Sequence, residues 1–166
     1  MIHPFYLNKK VEFKSFEEYN QKITIEEFED FKVIYERNIG NYIELKKIWC
    51  EFTKKYKEYF NENTLLIERS YDDPSVTGLE QCLYDVCMTV DEDCLLENVT
   101  IIKGGRFAIY HFSDSIENIF NACQGIFSVW LPNSGYKIDE RYGFDIYRYV
   151  NKKTMHVDMD LCIPIK

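Results

Sequence analysis

The sequence predicts an α+β fold: one antiparallel sheet with its helices on one face, made from two similar halves related by an approximate two-fold. Three observations predict it. Two stretches pass from a β-type run into an amphipathic helix, "FKVIYERNIGNYIELKKIWCEFTKKY" from Phe31 and "RFAIYHFSDSIENIFNACQGIFSVW" from Arg106. Tyr35 and Tyr110 end matching strand motifs 75 residues apart. Each helical stretch is followed by two further β-type runs, in the same order, so the plan is β-β-α-β-β twice.

Taken in chain order, residues 1–21, including "SFEEYN", form an arm or a short helix, and the main domain spans 22–166, with halves of about 22–92 and 93–166. "KITIEEF" and the run from Phe31 are the first two strands. Tyr42, Leu45, Ile48, Trp49, Phe52 and Tyr56 then follow the i, i+3, i+4, i+7 spacing of a helix packed by one face on a sheet. Asn41 with Glu44 three residues on resembles a capping box at its start. "TLLIERSY" and "QCLYDVCMTV" complete the half, joined through the turn formers of "DDPSVTG". In the second half "ENVTIIK" leads through Gly104-Gly105 to the strand from Arg106. Ile116, Ile119, Ala122, Cys123, Ile126 and Trp130 repeat the stripe at an offset of 74, with Asp114 and Glu117 as the second capping box. That helix is expected to end before Pro132, which has no N–H and disfavours helix at the residue before it. "GFDIYRYV" and "HVDMDLCIPI" close the chain, with "NKKT" between them.

Composition narrows the function. The net charge is −8 over 166 residues, and no Lys/Arg cluster is longer than a pair, so the phosphate-neutralising footprint of a nucleic-acid binder is missing and no direct nucleic-acid binding is expected. No window approaches the roughly 18 apolar residues of a membrane span. The start "MIHP" has no basic region followed by an apolar core. The six cysteines contain no C-x-x-C and fall mostly at apolar positions. Reduced, buried thiols in a cytoplasmic protein are the expectation, and there the sequon Asn98-Val99-Thr100 is a chance match. His3, His111 and His156 have no ligand spacing with a cysteine or with one another; His111 reads as a packed or rim histidine. Asp72-Asp73 and Asp91-Glu92-Asp93 read as solvated turns, so no metal site and no cofactor are expected. G-x-G-x-x-G, Walker, G-x-S-x-G and H-E-x-x-H motifs do not occur.

The chemistry-bearing candidate is Asp145. In "RYGFDIYRY" strand alternation places Phe144, Ile146 and Arg148 on one face, and Gly143, Asp145, Tyr147 and Tyr149 on the other. Two readings stand. Asp145 is either a solvated carboxylate on a tyrosine-covered sheet, or an anchor in an aromatic cleft at the seam between halves, where clefts commonly form. In the second reading the glycine admits close approach and the rings offer cation–π contact.

"YDDPSVTGLEQCLYDVCMTV", "GGRFAIYHF", "VWLPNSGY", "GFDIY" and the final "DLCIPIK" together resemble the GyrI-like small-molecule-binding domain, from about Lys22 to Lys166. The resemblance implies a tandem of two β-α-β-β units with a central ligand cleft. It also implies a small organic ligand, cationic or amphipathic, as in the effector-binding part of AraC-type and MerR-type regulators; this chain looks like a stand-alone member. On motif positions it implies Asp145, Tyr147, Trp130 and Tyr84 as ligand-binding residues, with Tyr110 and Trp49 as further wall candidates. The family usually has Glu in this strand motif, so Asp145 is one methylene shorter. Two alternatives accompany simple binding: hydrolysis of a small electrophile with Asp145 activating water and Tyr147 as proton donor, or modulation of a protein partner such as DNA gyrase.

Overall fold

The computed structural model describes residues 12–40, 44–73 and 76–166. Eight strands form one antiparallel sheet: β1 (Ile23–Phe28), β2 (Phe31–Ile39), β3 (Leu66–Ser70), β4 (Leu83–Thr89), β5 (Val99–Ile102), β6 (Gly105–Ser115), β7 (Phe144–Val150) and β8 (His156–Pro164). The helices are α1 (Phe16–Asn20), α2 (Leu45–Lys55), α3 (Ile119–Gly125) and α4 (Leu131–Asn133), with a π-helical turn, Ile126–Trp130, between the last two. The fold is therefore α+β, with a single large sheet and few helices.

The strands lie in the order β1-β6-β8-β7-β3-β4-β2-β5. Read from either edge, the order is the same if β1–β4 are exchanged with β5–β8, and β1 and β5 each pair in the other half. The centre is the β3–β7 pairing, where Ile67 faces Ile146. β1 and β2 sit six places apart, about 29 Å in a flat sheet at ~4.8 Å per strand. Only Glu29 and Asp30 join them, too short a link to span that distance even fully extended. The sheet must curl until its ends approach, and Phe28 on β1 accordingly packs its ring 5.5 Å from Phe31 on β2 and 6.1 Å from Phe144 on β7.

Alternation divides the core. Val33, Ile67, Cys87, Phe107, Phe144 and Ile146 fill the inside of the curl. The outer face carries two helix-covered clusters. Tyr110, Met159 and Leu161 pack with Ile119, Ile126 and Trp130 in one; Ile34, Tyr84 and Met88 pack with Leu45 and Phe52 in the other. α1 belongs to the first cluster through Tyr19, and its start is a capping box: Ser15 Oγ accepts from Glu18 N at 3.3 Å while Ser15 N donates to Glu18 Oε2 at 2.8 Å.

Several local expectations are corrected. The second helix does not stop before Pro132. The π turn resets the hydrogen-bond ladder, and Pro132 enters the first turn of α4, where its missing N–H costs nothing. Asp114 and Glu117 form no capping box; Asp114 instead accepts from Ser115 N at 2.6 Å and from Asn118 Nδ2 at 3.0 Å. Glu44 is the N-cap of α2 without a side-chain bond, and Asn41 and Tyr42 fall outside the described residues. All six cysteines are free, but Cys50 is exposed on α2 and Cys94 and Cys123 are only partly buried. His111 sits at the rim, between Thr24 Oγ1 at 2.9 Å and Asp160 Oδ1 at 2.8 Å.

Candidate functional site

The β3–β7 pairing sets two carboxylates against each other. Glu68 is the direct cross-strand partner of Asp145, a relation that brings Cβ atoms to roughly 4.5–5.5 Å. Both project to the helix-bearing face, beside Ser70 of β3 and Leu161 and Ile163 of β8. They line a cavity of about 580 Å³ over the β3–β7 pairing. Phe120, Cys123 and Gln124 of α3 and Phe127 of the π turn form one wall, and Tyr71, Asp72 and Asp73 after β3 form the opposite rim. Among the described residues that line it there is no Lys or Arg.

Glu68 is 0% exposed. Its Oε2 accepts from Tyr147 Oη at 2.9 Å and from Trp49 Nε1 at 3.3 Å, and the Trp49 and Tyr147 rings meet edge to face at 5.5 Å. Its Oε1 has no hydrogen-bond partner among the described residues, and neither has the buried Ser70 Oγ. Burial pushes the Glu68 carboxyl above its ordinary range, and the charge of Asp145 adds to the effect. Burial likewise raises Asp145. Tyr147 is raised well above a free phenol, by burial first and then by the two carboxylates. Burial raises the Cys123 thiol in the wall to about 12, so it is not an activated nucleophile.

Of the residues expected from sequence, Asp145 lines the cavity. Tyr147 and Trp49 lie behind it and hold Glu68. Trp130, Tyr84 and Tyr110 are core residues, 1%, 1% and 3% exposed. Trp130 Nε1 donates to Asn20 Oδ1 at 2.9 Å and its ring stacks on Tyr136. Tyr84 flanks Glu68 without reaching the cavity lining. Aromatic residues of α3 and the π turn, Phe120 and Phe127, line the cleft instead. Gly143 does admit a close approach, but of the chain itself: a Cβ there would stand 2.9 Å from the Cys162 carbonyl oxygen. Sequence reasoning passed over Glu68, although its parity with Leu66 and Ser70 puts it on the helix-covered face.

On the inner face Asp85, also 0% exposed, accepts from Arg37 Nε at 2.9 Å, from Arg69 Nη2 at 3.4 Å and from Tyr71 Oη. Asp160 on β8 accepts from Arg148 Nε at 2.9 Å and His111 Nδ1 at 2.8 Å. Among the described residues no group of three or more His, Cys, Asp or Glu could hold a metal ion, and no helix is long and apolar enough to cross a membrane.

The comparisons with known proteins agree with this architecture. SPbeta prophage-derived YosT of Bacillus subtilis (strain 168), described by its name as a candidate transcriptional regulator, is 32% identical over 136 residues, 73% of this chain and 88% of YosT. The C-terminal domain of EcmrR superimposes with a TM-score of 0.68 at 15% identity, covering 87% of this chain and 96% of that domain; against EcmrR in its DNA complex the TM-score is 0.73 at 11% identity, and the chain spans 57% of that longer protein. SAV2435, solved bound to tetraphenylphosphonium, gives a TM-score of 0.54 at 10% identity over 87% of this chain and 93% of its own. Residues 21–166 match the GyrI-like small molecule binding domain, and the chain belongs to that family.

Proposed function

We propose that the protein binds an organic cation, amphipathic in character, in the cleft over the Glu68–Asp145 pair, as a cytoplasmic effector-binding domain. The observation that carries this reading is the paired carboxylates on the floor of a cavity with no basic lining residue among those described. The Glu68 and Asp145 carboxylates make an acidic floor that suits a cation, and Phe120 and Phe127 offer apolar and π surface for its hydrophobic part. The halves 22–92 and 93–166 are read as a tandem repeat of β-α-β-β units, each preceded by an edge strand, and the palindromic strand order supports that reading. Of the arm expected over 1–21, residues 1–11 lie outside the described residues, and α1 packs Tyr19 into the first outer cluster. Simple binding is better supported than hydrolysis, because Tyr147 directs its hydroxyl to Glu68 rather than into the cavity.

Titration calorimetry with tetraphenylphosphonium tests the proposal. Saturable one-to-one binding is expected, with the dissociation constant raised about 5- to 100-fold in Asp145→Asn, as for loss of a partly desolvated charge. No binding to the parent protein, or equal constants for both, would overturn it.

A further inference from the structure

Resting on that reading, we infer that the cleft selects cations bearing N–H donors, protonated amines or amidines, over quaternary onium ions. Two acceptors on β3 carry the inference. Glu68 Oε1 and Ser70 Oγ are both buried, both belong to residues lining the cavity, and neither has a hydrogen-bond partner among the described residues. They stand two residues apart on one strand, hence on one face, with Asp145 on the neighbouring strand. A buried polar atom left unpaired is costly, and native structures rarely keep one without a reason.

A quaternary ammonium or phosphonium ion balances the charge but presents only C–H groups, so it leaves both oxygens unpaired. A primary ammonium has three N–H bonds, enough for Glu68, Asp145 and Ser70 at once. Sites built around unpaired polar atoms reject analogues lacking the matching group far more strongly than apolar pockets reject a change of size. The other Glu68 oxygen cannot exchange roles with Oε1, because Tyr147 Oη and Trp49 Nε1 both donate to Oε2 and fix the carboxyl plane. That pinning makes Glu68→Gln informative. The Gln carbonyl oxygen takes the two donors, and its NH₂ faces the cavity, turning the acceptor into a donor.

The test is a methylation series on one aryl scaffold: biphenyl-4-ylmethylammonium and its N-methyl, N,N-dimethyl and N,N,N-trimethyl forms, titrated into the protein. Affinity should fall along the series, with the trimethyl probe at least about 10-fold weaker than the primary ammonium. In Glu68→Gln the order should flatten or reverse. In Ser70→Ala the primary ammonium should lose a few-fold while the trimethyl probe is unaffected, which separates the effect from any general loss of the fold. Equal affinity along the series in the parent protein overturns the selection of N–H donors and leaves cation binding standing. Failure of every probe and of tetraphenylphosphonium to bind overturns both.

Discussion

Replacing Glu68 by Gln should make the protein more stable at high pH, although it removes a fully buried, hydrogen-bonded residue. Glu68 is enclosed by Tyr147 and Trp49, which donate to it, by Asp145 across the strand pair and by Tyr84 at its flank. Burial holds its carboxyl above the ordinary value of 4.5. The folded state thus binds this proton more tightly than the unfolded chain does. The associated stability is complete below about 4.5 and is lost as pH rises through the folded-state value. Gln keeps an acceptor for both donors, carries no charge, and can offer its NH₂ to Asp145. It therefore avoids a charge-burial cost on the order of 1–3 kcal/mol. For a domain of this size about 1 kcal/mol corresponds to roughly 2–4 °C in Tm. Thermal unfolding of both proteins at half-unit steps from pH 4.5 to 8.5 should give near-coincident curves at the acid end. At the alkaline end the Gln variant should melt on the order of 5 °C higher. A variant less stable by the same amount at every pH would refute the reasoning, because the loss would then be one of packing.

Tyr147→Phe deletes a donor that favours ionised Glu68, so the carboxyl should rise further; binding of biphenyl-4-ylmethylammonium at pH 7 should weaken a few-fold by calorimetry and recover in part as pH is raised. Ser70→Lys would place a resident ammonium beside the pair and should cut affinity for the same probe by about 10-fold or more with the fold intact by circular dichroism; unchanged affinity would mean the floor charge is not what draws the cation. Gly125→Ala would set a Cβ 1.8 Å from Tyr19 Oη, and with Tyr19 buried the helix or α1 must shift; a loss of about 1–3 kcal/mol in urea unfolding is expected. Asp85→Ala strands Arg69 and Tyr71 and should cost about 3–5 kcal/mol in the same assay.

The strands were legible because two-residue alternation survives in the sequence wherever one face is buried, and all eight elements fall within the runs quoted from it. The helix stripes were legible for the same reason at their own period. What escaped was decided by tertiary packing. Nothing local distinguishes an aromatic side chain that lines a cleft from one that fills a core, so the sequence offers Trp130, Tyr84 and Tyr110 as walls, although the first and third lie within one outer cluster and the second within the other. Pro132 was read as a stop because the π turn that admits it depends on how Ile126 and Trp130 pack. Glu68 was hidden in plain alternation: in "LLIERSY" it reads as one charge among others until the strand's partner is known. The clue was parity, since Leu66 and Ser70 share its face, and the likeness of Ile67-Glu68-Arg69 to Ile146-Tyr147-Arg148.

That likeness also explains why the cleft floor is acidic in a protein with arginines on both central strands. Ile67 faces Ile146 at the middle of the sheet. One residue along each strand in the same sense, Glu68 and Tyr147 point outward to the helices and bond to each other. One residue further, Arg69 and Arg148 point to the opposite face, where each neutralises an aspartate, Asp85 and Asp160. Strand alternation therefore separates the charges of a few consecutive residues by the thickness of the sheet: the cations are consumed in inner ion pairs, and Glu68 and Asp145 are left facing the cavity. A one-residue slip of β3 or β7 would carry an arginine onto the floor and a carboxylate into the curl, which the apolar inner cluster of Ile67, Phe144 and Ile146 does not allow. The same apolar packing that fixes the register of the two central strands thus fixes the sign of the site.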